Sequence, residues 1–266
     1  MKQRIITGVV AGVLFLGLCV VGGIWYPALI MLMALVGYYE FAKMSTGAPF
    51  RSEAWIGYVG VAYLTFPWHV WNMDFPLPPL HAAWLMLLLL LCATVLTKNE
   101  INIRQASLLF LGAAYVGLGF YYISMSRETP DGQGLFWTFM LLLSIWGSDA
   151  GAYFTGKAFG KNKLWPAISP NKTIEGAVGG ILIAVLIALG FSLAAPDMVD
   201  PLRAMLIGLA ASVVGQMGDL IQSAYKRVYG IKDSGSILPG HGGILDRCDS
   251  WLAVFPFVHI LLLLPY

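Results

Sequence analysis

The sequence predicts an all-α, polytopic integral membrane protein of about nine transmembrane helices, with its N-terminus in the cytoplasm. Composition points there first: 58% of the 266 residues are hydrophobic and only 11% are charged, where a soluble domain carries about 25% charged residues. Mean hydropathy is +0.75. Apolar runs long enough to cross a bilayer recur along the whole chain, and only helices or closed barrels satisfy the backbone there. The third observation is an alternation of Lys and Arg between successive loops. The net charge of +2 is less informative than this distribution.

Nine apolar segments are predicted, at roughly 5–22, 24–44, 54–72, 79–97, 105–125, 135–156, 174–195, 202–225 and 251–265. No soluble domain fits between them. One integrated membrane domain is expected, with residues 1–130 supplying N-terminal helices and 131–266 the C-terminal helices and the chemistry. The first segment has the basic start and apolar stretch of a signal peptide, but no clear small-x-small cleavage site follows. It is read as a retained helix. The links at 127–133 and 196–201 are short turns rich in Pro, Gly and Asp. The longest polar connections are 157–173 and 226–250.

Under this count, 14 of the 16 bases fall on the N-terminal side: Lys2, Arg4, Lys43, Arg51, Lys98, Arg104, Lys157, Lys161, Lys163, Lys172, Lys226, Arg227, Lys232 and Arg247. Only Arg127 and Arg203 fall opposite. Bases mark the cytoplasmic side. Both long polar connections therefore face the cytoplasm, where nucleotides are.

Acids at the edges of apolar segments are costly, about 2.5–3.5 kcal/mol each at mid-bilayer on insertion scales. Glu40, Asp149, Glu175 and Asp219 are such acids. Glu40 precedes Lys43 by one turn and is expected to pair with it. Asp149 lies among small residues, between Ser148 and Gly151, where close packing alone could account for its neighbours. Asp219 begins a polar stripe: at helical spacing Asp219, Ser223 and Lys226 share a face, with Gln216 a turn earlier.

That stripe leads into Ser223–Asp249, which holds seven of the chain's 30 charged side chains and His241. Glycine and proline prevent one continuous helix there. Bases suit phosphate oxygens, carboxylates suit a hard cation, and glycines allow close backbone approach. Asp219 and Asp246 are expected to hold Mg²⁺, with substrate phosphates and water completing its shell. A structural network of Asp and Arg is the plainer alternative. His241 in PGHGG is expected to be exposed on a bent backbone, where it could meet phosphate or ribose, shuttle a proton, or stabilise the turn.

In SPNKTIEG (Ser169–Gly176), Ser-Pro forces an extended approach, and Asn171 or Thr173 can cap the following helix. With Lys172 adjacent, the helix start is a candidate anion site, although a capped helix with a positive-inside lysine explains the same residues. The run GKAFGKNK lacks Walker A spacing. His69, His81 and His259 are isolated and read as structural, and no zinc-like spacing exists. Cys19, Cys92 and Cys248 show no disulfide or metal pattern. Trp25, Tyr26, Trp68, Trp71 and Trp251 read as interfacial belts.

The spacing of Ser223, Lys226, Arg227, Lys232, Asp233, Gly235, Leu238, Pro239, His241, Gly242, Gly243, Ile244, Asp246, Arg247 and Asp249 resembles the signature of the phosphatidate cytidylyltransferase (CDP-diacylglycerol synthase) family. Tyr225 and Cys248 occupy its looser hydrophobic positions, and SDAGAYFTGKAFGK and SPNKTIEG are similar to its other signatures. The likeness is strong over about 144–265. The resemblance implies that CTP and phosphatidic acid give CDP-diacylglycerol and pyrophosphate, with the lipid phosphate attacking the α-phosphorus in line. It implies Mg²⁺ on Asp219 and Asp246, and a monovalent cation such as K⁺ as a further cofactor. Lys226, Arg227, Lys232 and Arg247 would hold the triphosphate or the lipid phosphate. Asp219, Asp246, Lys226, Arg227 and His241 are the expected catalytic set. Ser223, Lys232, Asp233, Arg247, Asp249, Lys172 and Asp149 are the expected substrate-binding set. The expected partners are CTP, phosphatidic acid and the bilayer of the cell membrane; no nucleic acid is expected, and small-residue faces such as Gly176–Gly180 would allow a homodimer. Two other readings are a CTP-dependent polyprenol or lipid kinase and an ion-coupled transporter using Asp149 and Asp219. A transporter predicts internal repeats and polarity along a whole pathway, and the sequence has neither.

Overall fold

A computed structural model describes residues 2–71 and 73–265. Helices α1 (Lys2–Val21), α2 (Trp25–Thr46), α3 (Ser52–Thr65), α4 (Pro79–Leu96), α5 (Ile103–Ser126) and α6 (Gly134–Phe159) come first. A small hairpin of β1 (Lys163–Trp165) and β2 (Ser169–Thr173) follows, then α7 (Ile174–Ala194), α8 (Pro201–Val228), the single turn α9 (Leu245–Cys248) and α10 (Trp251–Ile260). The side chains of Lys2, Arg4 and His69 lie outside the described residues.

Every apolar segment read from the sequence contains a helix. Among the described residues, six helices (α2 and α4 to α8) are long and apolar enough to cross a membrane. The apolar stretches Ile6–Val21 and Trp251–Ile260 are shorter, and α3 has 14 residues. The expected 54–72 segment is interrupted because Pro67 follows Phe66: α3 ends at Thr65 and Trp68–Trp71 forms a separate 3-10 turn. The 251–265 segment stops being helical at Ile260, with Pro256 already inside α10 and Leu262 at φ 55. Large aliphatic side chains point outward, Leu96 at 82% and Leu193 at 81% exposure. In water such exposure would be costly, whereas against lipid tails it costs nothing.

The chain forms two compact units. The first comprises Met1–Ser124 and Asp233–Arg247. Within it α2 packs on α3 and α3 on α4. Gly37 on α2 brings its backbone against Leu245, Val116 and Phe120; a Cβ there would sit 3.1 Å from Leu245. Tyr38 and Tyr58 meet edge to face with centroids 4.8 Å apart.

The second unit comprises Met125–Lys232 and Cys248–Tyr266. Here α6, α7, α8 and α10 pack together. Gly180 on α7 lies so close to α6 that a Cβ would come within 2.8 Å of the Ser148 carbonyl, and Gly208 on α8 stands in the same relation to Val185 of α7 at 2.7 Å. Small residues are what such close helix contacts require. The hydroxyls of Ser148 and Ser212 add a bond of 2.6 Å between α6 and α8. Asp200 caps α8, accepting from the amides of Leu202 and Arg203 at 3.0 Å each, with Pro201 at the first helical position. The hairpin pairs Lys163 with Thr173 and Trp165 with Ser169, turning part of the expected polar connection into ordered structure.

Candidate active site

In the second unit the polar stripe of α8 is present as spaced. Ser223 Oγ donates to Asp219 Oδ1 at 3.2 Å, one turn apart. Ser223 and Lys226 are buried, and Asp219 is half-buried. Gln216 reaches the Ala177 carbonyl at 3.2 Å and Ser212 Oγ at 2.9 Å, while Gln222 is completely buried. Of the two cap candidates for α7, Thr173 performs the role, its Oγ1 accepting from the Gly176 amide at 3.1 Å. This cap orders the end of β2, and Lys172, one residue earlier, places Nζ 2.6 Å from Asp219 Oδ2. The lysine expected to bind an anion thus pairs with the carboxylate expected to bind a cation.

Asp249, between α9 and α10, belongs to the same neighbourhood. Burial, and then the negative charge of Asp219, push its carboxyl up to about 7; Asp149 on α6 adds to this, and the Ser250 amide and Lys226 act against it. The Ser250 amide donates to Asp249 Oδ1 at 2.8 Å. Three acids expected at the site, Asp149, Asp219 and Asp249, therefore feel one another's charge, with Lys172 and Lys226 among them. Arg227 is exposed, and its guanidinium bonds the carbonyls of Ile168 at 3.3 Å and Ile231 at 3.2 Å. Lys232 is exposed.

In the first unit lies Asp246, almost fully buried. Its Oδ2 accepts from the Ser234 amide at 2.7 Å, Ser234 Oγ at 3.0 Å and the Gly243 amide at 2.9 Å. Asp233 and Arg247 are exposed. The PGHGG run forms a tight turn: the amides of Leu238 and His241 donate to Gly242 and Leu238 carbonyls at 3.0 and 2.8 Å. Gly240 and Gly242 have φ of 78° and 84°, a conformation that favours glycine. The half-buried His241 ring lies against α1, where a Cβ on Gly8 would be 3.0 Å from Nε2.

Glu40 departs from its expected pairing with Lys43. The Glu40 carboxylate is 2% exposed and accepts from the amides of Ile244 and Leu245 at 2.9 and 3.0 Å, and from Ser234 Oγ at 2.9 Å. Lys43 instead sits over the Tyr39 ring, 5.8 Å from its centroid. The reason is satisfaction: a buried carboxylate needs donors, and the loop offers the Ile244 and Leu245 amides, together with the Ser234 hydroxyl that also lies 3.0 Å from Asp246 Oδ2. Sequence spacing cannot show a contact between positions 40 and 244; the available signal was an acid inside an apolar helix.

Among the described residues, no three His, Cys, Asp or Glu side chains could hold a metal ion by themselves. Mg²⁺ typically takes one or two carboxylates and keeps waters and substrate phosphates. Hard oxygen donors in a buried setting, where Asp219 and Asp149 add their charge to the effect of burial on Asp249, and a cationic Nζ already seated on Asp219, are the chemistry that such an ion suits. Asp219 lies in the second unit and Asp246 in the first.

Comparison with known proteins covers almost the whole chain. Residues 2–264 match the cytidylyltransferase family. The chain is 44% identical over 266 residues to the phosphatidate cytidylyltransferase of Bacillus subtilis (strain 168), covering 99% of this chain and 98% of that protein. It is 37% identical over 265 residues to the proteins of that name from Staphylococcus saprophyticus and Staphylococcus aureus (strain COL), covering 99% of both chains in each case.

Proposed function

Because the chain belongs to the cytidylyltransferase family, we propose that it transfers CMP from CTP to phosphatidic acid, giving CDP-diacylglycerol and pyrophosphate for phospholipid synthesis. The observation that supports this site is the grouping of Asp149, Asp219 and Asp249 with Lys172 and Lys226 in an apolar helical unit. An oxygen of the lipid phosphate attacks the α-phosphorus of CTP. The new P–O bond forms as the bond to the bridging oxygen of the β-phosphate breaks, and pyrophosphate leaves with that electron pair. No protein nucleophile is required, so positioning and charge neutralisation supply the rate.

Each residue then has a task. Lys226, buried on α8, meets phosphate charge in a low-dielectric setting where one ammonium counts for more than it would in water. Lys172 neutralises Asp219 and is placed to turn to an incoming phosphate. Arg227, Lys232 and Arg247, all exposed, meet the triphosphate or the lipid headgroup from the water side. Ser223 orients Asp219 through its hydroxyl. Asp233 is assigned to a substrate contact, and His241 to the catalytic set, to meet phosphate or to shuttle a proton. Asp219 and Asp246 are each assigned as magnesium ligands, and K⁺ is a candidate second cation. A bound Mg²⁺ would neutralise charge on the phosphates and favour departure of pyrophosphate.

The N-terminus and the two polar connections are placed on the cytoplasmic side by the lysine and arginine asymmetry. The test is incubation of purified protein with phosphatidic acid vesicles and CTP labelled at either the α- or the γ-phosphorus. Label in the lipid from α-labelled CTP, with release of pyrophosphate, is expected. Lipid label only from γ-labelled CTP would make the protein a kinase and overturn the reading.

A further inference from the structure

We infer that Glu40 is a positioning residue: its buried carboxylate holds the backbone of the 234–246 loop so that Asp246 is presented in one fixed orientation. The inference rests on the proposed role of Asp246 in the reaction. It concerns only residues of the first unit.

The geometry is a chain of acceptors and donors. Glu40 Oε1 takes the Ile244 amide at 2.9 Å, and Oε2 takes the Leu245 amide at 3.0 Å. Ser234 Oγ lies within hydrogen-bond distance of both Glu40 Oε2, at 2.9 Å, and Asp246 Oδ2, at 3.0 Å. The Ser234 and Gly243 amides then close on Asp246 Oδ2 at 2.7 and 2.9 Å. One side chain from α2 therefore tethers the loop on both sides of the PGHGG turn and is joined through Ser234 to the carboxylate itself.

The loop is shaped around this carboxylate. A Cβ on Gly235 would come within 2.5 Å of Glu40 Oε1, and a Cβ on Gly243 would overlap both carboxylate oxygens. The small residues at these positions thus have a reason independent of substrate: they make room for Glu40. Two of the three partners, the Ile244 and Leu245 amides, can only donate, so each calls for an acceptor oxygen. A glutamate carboxyl group places one oxygen at each, whereas a glutamine amide has a single oxygen and would aim its N–H bonds at the other amide. Aspartate is one methylene too short to span the same gap. The residue is also 2% exposed in a helix suited to a membrane, where a carboxylate without donors would be costly.

Glu40→Gln keeps volume and shape while reversing one hydrogen-bond polarity, so it is the informative variant; Glu40→Asp and Ser234→Ala accompany it. The full-length protein in lipid nanodiscs is measured in three ways. Amide hydrogen exchange without metal or nucleotide should show Gly243, Ile244 and Leu245 exchanging about 10-fold or more faster in Glu40→Gln, the effect of losing one buried hydrogen bond, while helices α6 to α8 keep wild-type protection. Steady-state rates should show kcat lowered about 10-fold or more, with KM for phosphatidic acid little changed and the magnesium midpoint raised. Glu40→Asp should fall between wild type and Glu40→Gln. In a double-mutant cycle Ser234→Ala should add little to Glu40→Gln, because both break the same chain.

Uniformly faster exchange across all helices in Glu40→Gln and Glu40→Asp alike would make Glu40 a general stabiliser and overturn the inference. So would wild-type exchange and rates in Glu40→Gln. Asp246→Asn, assayed in parallel, separates the two levels. An inactive Asp246→Asn beside a normal Glu40→Gln sinks the positioning role alone. A fully active Asp246→Asn removes the proposed role of Asp246 and the inference with it.

Discussion

At the scale of single residues, the acids divide by what satisfies them. Asp219 is met by a hydroxyl and an ammonium, both replaceable by a cation and its waters. Asp246 is met by backbone amides, which cannot move away without moving the loop. Asp219→Asn and Asp246→Asn should each abolish cytidylyl transfer while leaving a folded protein, because the amide keeps the shape and loses the charge that a divalent ion requires. Near-normal activity of either variant at saturating Mg²⁺ would remove that residue from the site. Asp249 supplies a pH prediction. Its folded pKa is about 7, above the value of about 3.9 of a free aspartate. The folded state therefore binds its proton more tightly than the unfolded chain does. Its contribution is most favourable at acid pH and is lost as pH rises from about 4 through about 7. Burial and the charges of Asp219 and Asp149 set this sign, against the opposing Lys226. Metal-free thermal unfolding between pH 5 and 8 should show a decline with pH that is shallower in Asp249→Asn. Equal slopes would refute the linkage.

At the scale of elements, short features aim the chemistry. The β1–β2 hairpin and the Thr173 cap decide where Lys172 stands. Thr173 is buried, and its side chain also fills the space against Gly156 and Gly160 of the α6 end. Thr173→Ala should cost about 1 kcal/mol through the lost cap. It should raise KM for CTP more than it lowers kcat, if Lys172 meets phosphate before the chemical step. Calorimetry of the purified variant together with CTP titration of the rate checks both halves. A stability loss with an unchanged KM would confine Thr173 to capping.

At the scale of the whole molecule, the apolar helices place the protein in a membrane, and 14 of 16 bases lie on one side of the nine-segment reading. Single cysteines at Lys163 and Lys232, in a background lacking Cys19, Cys92 and Cys248, should both react with impermeant maleimide added from the cytoplasmic face of inverted vesicles. Labelling of the two positions from opposite faces would refute the topology. The helix lengths sharpen the expectation: among the described residues six helices suffice to span, whereas α3 ends at Thr65, ahead of Pro67, and α10 runs past Pro256 but ends at Ile260.

The sequence alone determined helix class and the position of nearly every helix, because apolar run length is a local property that the bilayer reads directly. It also determined the stripe of Asp219, Ser223 and Lys226, since one helical period places them on one face. The signature spacing was sufficient to suggest the family before any contact was known. Only tertiary structure decided which donors each acid would receive. Glu40 faces the loop rather than Lys43, 194 residues from Ser234 by sequence, because an acid removed from water bonds whatever donors folding brings to it. Lys172 closes on Asp219 for a related reason: the cap at Thr173 and the packing of α7 on α8 bring the two together, and no spacing rule links positions 172 and 219.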